Sequence, residues 1–173
     1  IVKALLPSDK TLLKLNFNSS NAFFEFGNIE LICRLIDERF PEYENAIPLN
    51  NLNVMTVERL ELLNSLKRIS IYSNKATNQV RFSIKATELQ ISAEDVDYSN
   101  EASEKLSCEY NGEEMEIGFS SKLMMEMLNN ISSNLVDLEM SAPNKAALLI
   151  PKTLEDGEEI LMLIMPVMLN SNL

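Results

Sequence analysis

Apolar and polar residues alternate along most of the chain, and two stretches break the alternation with a longer period. Leu13, Leu15 and Phe17 alternate with Lys14 and Asn16. Phe24 and Phe26 flank Glu25, and Leu31, Cys33 and Leu35 alternate with Glu30 and Arg34. Successive side chains of a strand point to opposite faces, so each run predicts a strand with one apolar face. The segments between them, Asn18-Ser19-Ser20-Asn21 and Gly27-Asn28, carry residues that favour tight reversals. Residues 1–6 read as the last turns of a helix ended by Pro7. Further on, Leu52 and Val54 predict a short strand, and Thr56 is the expected N-cap of a helix over 57–72. There Leu62, Leu66 and Ile69 fall at i, i+4 and i+7, with Leu60 and Leu63 beside them. Glu58 early and Lys67 and Arg68 late suit the helix dipole. Strands are expected at 79–86, 88–93 and 105–110. The same order then returns. Met115, Ile117 and Phe119 make a strand, Ser120 or Ser121 caps a helix, and Leu123, Met124, Met127, Leu128 and Ile131 form its stripe. Strands follow at 135–140, 146–150 and 159–168.

Residues 51–173 therefore read as strand-helix-strand-strand-strand, twice over. Residues 1–36 read as the tail of one more such unit. Short turns between successive strands imply antiparallel sheets. Two helices per domain would cover one face of those sheets, so the expected class is α+β with internal pseudo-two-fold symmetry. Pro41 and Pro48 hold the stretch Arg39–Pro48 extended and make it the expected inter-domain link.

Composition narrows the function. A length of 173 residues with 46% hydrophobic suits one full domain plus a fragment. The first residue is Ile, so the sequence is expected to begin inside a longer protein. No apolar run is long enough to span a membrane, and Ile1–Leu6 is too short for a signal peptide. The cytoplasm is the expected compartment. No histidine is present, which removes the commonest general base and zinc ligand. Four glycines with no phosphate-loop spacing leave a nucleotide cradle unsupported. Catalysis, a cofactor and a metal are accordingly not expected. The net charge of −11 argues against wrapping tightly onto nucleic acid. It is compatible with an acidic body that surrounds DNA through a locally basic lining. Cys33 and Cys108 are expected to be buried, reduced thiols. Glu94-Asp95-Val96-Asp97 lacks the periodicity of a calcium loop and reads as a solvated turn.

Three blocks carry a resemblance. They are Leu35-Ile36-Asp37-Glu38-Arg39-Phe40-Pro41-Glu42-Tyr43 followed by Ile47-Pro48, then Glu113-Glu114-Met115-Glu116-Ile117-Gly118-Phe119, and last Ile164-Met165-Pro166-Val167-Met168-Leu169. In this order they resemble the inter-domain linker, a strand of the last domain and the terminal segment of the bacterial DNA sliding clamps, the beta subunits of DNA polymerase III. The chain departs from the family at Glu38, where the linker usually has Gly. It also departs at Glu44-Asn45 and Met168, where basic residues are usual, and in Asn170–Leu173 beyond the usual end.

The resemblance implies a three-domain subunit that pairs head-to-tail with a second copy into a ring around duplex DNA. Residues 1–48 would be the second half of the middle domain plus the linker, and 49–173 the whole last domain. Polymerase and clamp-loader subunits would insert a short peptide into a cleft. Its matching positions here are Pro41, Asn45, Ala46, Thr77, Ser120, Leu123, Ala146, Ile164, Met165, Pro166, Val167 and Met168. Lys3, Arg59, Lys67, Arg68 and Lys122 would line the DNA channel, and Ile71 and Tyr72 would lie at the dimer interface. The holoenzyme is a DNA-directed DNA polymerase, a nucleotidyltransferase, of which this subunit would be a non-catalytic part. Two other classes are weighed from the residues alone. A carboxylate-based hydrolase would need a pair of acids that no spacing singles out. An extracellular β-rich binding module would be expected to show a disulfide framework.

Overall fold

The computed structural model describes residues 1–6 and 11–169. They fall into two compact units, Ile1–Glu42 and Tyr43–Leu173.

The first unit holds a one-turn helix α1 (Val2–Leu5) and the strands β1 (Lys14–Phe17), β2 (Asn21–Phe26) and β3 (Ile29–Arg34). The strands form an antiparallel meander in the order β1-β2-β3. The turn before β2 is locked by the Asn18 side chain, which accepts from the Ser20 and Asn21 backbone N–H groups. The turn after β2 uses Gly27 at φ 58, a left-handed conformation that a Cβ would strain. Register sets Leu15 opposite Phe24 and Phe24 opposite Leu31, so one face is apolar. Ala22 and Phe26 are buried, whereas Leu15, Phe17 and Ile29 are exposed. Cys33 lies in β3 and is exposed, contrary to the expectation of a buried thiol. Alternation identified its strand but not what covers it.

The second unit contains the doubled pattern. Its first copy comprises β4 (Asn53–Glu58), α2 (Arg59–Ile69), β5 (Gln79–Lys85), β6 (Glu88–Asp95) and β7 (Asn100–Ser107), with a short extra strand β8 (Glu109–Asn111). The second comprises β9 (Met115–Ser120), α3 (Ser121–Asn129), β10 (Leu135–Met140), β11 (Ala147–Pro151) and β12 (Met162–Ile164). The sheet orders are β12-β11-β10-β4-β8 and β7-β6-β5-β9, and every ladder is antiparallel. The last three strands of each copy thus take in the first strand of the other, and this exchange expresses the pseudo-two-fold symmetry.

α2 and α3 pack on each other and against the sheets. They bury Leu62, Leu63, Leu66 and Ile69 from α2 and Met124 and Leu128 from α3. Phe82 and Phe119 meet edge to face in the core, with ring centroids 5.3 Å apart. No helix among the described residues is long and apolar enough to cross a membrane.

Three boundaries differ from expectation. Thr56 is not a cap. β4 runs on to Glu58 because it pairs with β10 along its whole length and buries Met55 and Val57. The Thr56 hydroxyl donates to Asp137 at 2.6 Å, while the Glu58 carboxylate caps α2 by accepting from the Glu61 N–H. The strand expected at 105–110 is two strands, β7 and β8, which belong to different sheets. The strand expected at 159–168 is only Met162–Ile164. Pro166 has no N–H with which to extend a ladder.

Candidate functional site

α3 begins where Ser120, at the end of β9, accepts a hydrogen bond from the Leu123 N–H. One stripe of the helix, Ser121, Met124 and Leu128, faces the core. Leu123, Glu126, Met127 and Asn130 lie one position round, at i, i+3, i+4 and i+7; Leu123, Glu126 and Asn130 are exposed, and Met127 is half-buried against the edge of the core. Opposite them runs the end of the chain. β12 pairs with β11 through Ala147–Ile164, Leu148–Leu163 and Leu149–Met162, at an edge of the five-stranded sheet. Between helix and strand lies a groove of about 500 Å³ lined by Leu123, Glu126, Met127, Asn130, Met162, Leu163, Ile164 and Met165. Its lining is apolar apart from Glu126 and Asn130. Leu123 and Met165 are 51% and 60% exposed, although both are large apolar side chains. Such a concave, methionine-rich surface suits a short apolar segment whose exact shape can vary.

Of the expected cleft residues, Leu123, Ile164 and Met165 line this groove together. Ser120 sets the helix that forms one wall. Ala146 is pinned beside β11, where its carbonyl accepts from the Asn51 side chain at 3.1 Å. Val167 donates its N–H to the Gly118 carbonyl at 2.8 Å, and Met168 is exposed. Pro166 joins these two segments. Thr77 lies elsewhere, in a polar depression of about 710 Å³ on the four-stranded sheet that Leu169 also borders. Asn45 and Ala46 form part of a short 3-10 turn, Tyr43–Ala46. Pro41 belongs to the first unit. Glu126, Met127, Asn130, Met162 and Leu163 were not anticipated as lining. Helical spacing from Leu123 would have found Glu126 and Met127 on α3 and Asn130 at its C-cap.

The basic residues divide sharply. The outward stripe of α2 carries Leu60, Glu61, Asn64, Lys67 and Arg68, and that of α3 carries Lys122, Leu123, Glu126 and Asn129. Arg68 is held in a two-pronged pair with Glu104, at 2.7 and 2.8 Å. That bond is the main reason the Glu104 carboxyl sits below its ordinary pKa and the Arg68 guanidinium above its own. Arg59 is turned to structural use. Its Nε donates to the Ser133 carbonyl at 2.8 Å and its Nη1 to the Leu128 carbonyl near the end of α3 at 3.2 Å. These bonds give Arg59 a helix-capping role at the end of α3. Lys67 and Lys122 make no ion pair among the described residues and are exposed. The side chain of Lys3 lies outside the described residues. Ile71 and Tyr72 stand exposed on a 3-10 turn, Ser70–Tyr72, beside β7, the edge strand of the four-stranded sheet.

On the outer face of that sheet, Glu116 accepts from Ser83 and from Arg81, both at 2.8 Å. The Ser83 hydrogen bond first, and then Arg81, hold its carboxyl below the ordinary value of 4.5. A depressed carboxylate pKa stabilises the fold above the unfolded value, and that stability is lost as pH falls through the folded one. Arg81→Gln is therefore expected to raise the Glu116 midpoint read by NMR titration. It should cost less than about 1 kcal/mol at neutral pH, because the pair is part-exposed. The stability gap between variant and parent is expected to close as pH falls below 4.5. A gap that persists in acid would show that packing and not charge is responsible.

No cluster of three or more metal-ligating side chains occurs among the described residues. Residues 44–167 match the family described as DNA polymerase III beta subunit, C-terminal domain. The chain belongs to that family. The beta sliding clamp of Haemophilus influenzae is 32% identical over 132 residues, 76% of this chain and 36% of that protein. A Pseudomonas aeruginosa sliding clamp solved with a ligand superposes with a TM-score of 0.87 at 25% identity, over 96% of this chain and 44% of that one. A Bartonella birtlesii clamp bound to griselimycin gives 0.84 at 26% identity, over 91% and 41%. The architecture is thus the sliding-clamp fold, and the chain spans less than half the length of these beta subunits.

Proposed function

We propose that the protein containing this chain is a processivity factor: a ring-forming clamp that surrounds duplex DNA and tethers polymerase and clamp-loader subunits through short peptides. In this reading it does no chemistry of its own. Residues 1–48 are the second half of a middle domain with its linker, and 49–173 are the last domain. The groove between α3 and the terminal segment carries the proposal. It is open and largely apolar, which suits extended peptide anchors. Ile71 and Tyr72 beside the free edge of β7 offer the head-to-tail contact with a second copy.

The test is direct. A labelled peptide with one glutamine followed by leucine and phenylalanine anchors is expected to bind, and the full-length protein is expected to remain on nicked circular DNA after loading. Absence of both would sink the reading. Lys67 and Lys122, exposed and without an ion pair among the described residues, are candidate contacts for phosphate. Replacing both by Ala is expected to lower the slope of log affinity against log salt by about 1–2, with peptide affinity unchanged. An unaltered slope would remove these two helices from the DNA channel.

A further inference from the structure

We propose that Gly118 is a positioning residue for the groove: the terminal segment crosses its bare Cα, and this crossing fixes where Met165 stands. The inference rests on the groove reading above. β12 ends at Ile164, and Pro166 cannot extend its ladder. Beyond β12, the Val167 N–H bonded to the Gly118 carbonyl is the only backbone hydrogen bond of residues 165–169 among the described residues. Gly118 sits in β9, an edge strand of the four-stranded sheet, whereas β12 is an edge strand of the five-stranded one. The segment therefore ties two sheet edges together. Met165 lies between the two anchors, one residue after β12 and two before Val167.

Only glycine permits this crossing. Gly118 is not in the left-handed region, so its φ does not demand glycine. Contact does. A Cβ there would stand 2.3 Å from the Val167 carbonyl oxygen and 2.8 Å from Leu169 Cδ2. The first is a backbone atom and cannot rotate aside as a side chain can, so the segment must lift. Met165 then loses one of its two anchors, and the groove loses a defined wall.

The experiment compares the full chain with Gly118→Ala, Val167→Pro and the double variant. Val167→Pro removes the donor from the segment's side and leaves β9 untouched. Readouts are binding of the labelled glutamine-leucine-phenylalanine peptide and amide hydrogen exchange. Each single variant is expected to weaken the peptide about tenfold or more, and the double variant no further than the weaker single. Exchange over 162–169 is expected to quicken in Gly118→Ala while the β5–β9 ladder stays protected. Unchanged affinity in both single variants, additive losses, or lost protection of β9 would each overturn the assignment. Failure of the parent chain to bind peptide would overturn the groove reading, and quickened exchange over 162–169 would still establish the crossing by itself.

Discussion

Phe82→Ala is expected to lower stability by about 3–5 kcal/mol, the usual cost of removing a fully buried aromatic ring. Phe82 is 0% exposed at the centre of β5. Its register partners are Ile91 on β6 and Ile117 on β9, both also fully buried, so no neighbour can relax outward into the space. It also loses the edge-to-face contact with Phe119, worth about 0.5–1.5 kcal/mol beyond buried area. Against a total of about 5–15 kcal/mol for a domain, this is a large share. Urea unfolding is expected to show a lower midpoint with an unchanged slope. Val96→Ala, at a residue 79% exposed on the β6–β7 turn, is expected to change stability by less than about 0.5 kcal/mol. A loss below about 1 kcal/mol at Phe82 would mean that β5 and β9 repack, contrary to the close packing of protein cores. The position matters for the site as well, because Phe119 is followed directly by Ser120, the cap on which α3 is built.

The fold was legible because its two periods are clean. Val80, Phe82 and Ile84 alternate through β5, and Leu62, Leu66 and Ile69 mark the buried stripe of α2, so element type and order could be read directly. What failed was information that periodicity does not contain. Leu106, Cys108 and Tyr110 keep alternating straight through the point where the chain leaves one sheet for the other, so the switch from β7 to β8 leaves no trace in the pattern. Thr56 had the chemistry of a cap, but pairing with β10 extended the strand past it. Cys33 sits in a strand whose apolar face is largely open. At the site, Leu123 and Met165 could be placed by resemblance. The fates of Arg59 and Arg68 could not, because Leu128, Ser133 and Glu104, which occupy them, are remote in sequence. The demand on Gly118 was equally hidden, since a glycine without positive φ looks interchangeable until its neighbour across space is known.

Leu123→Ala combined with Met165→Ala is expected to weaken peptide binding about 30-fold or more, the effect of losing central apolar anchors. The two side chains border one groove, from α3 and from the terminal segment, and each leaves much of its surface in water. That exposure decides the expected separation of effects. A half-exposed apolar residue adds little to the fold, so the double variant is expected to unfold within about 0.5 kcal/mol of the parent. The same surface is what a bound peptide would cover, and binding therefore takes the loss. Met168→Ala is the internal control. Met168 is 71% exposed but does not line the groove, so its effect is expected to stay below tenfold. The single variants carry further information. If one peptide side chain rests on both residues, the double-mutant cycle will show a coupling of about 0.5–3 kcal/mol. Independent losses would instead place two anchors in two subsites along the groove. Unfolding of the double variant would show that Leu123 and Met165 hold the domain together. The groove would then be a consequence of core packing and not a site shaped for a ligand.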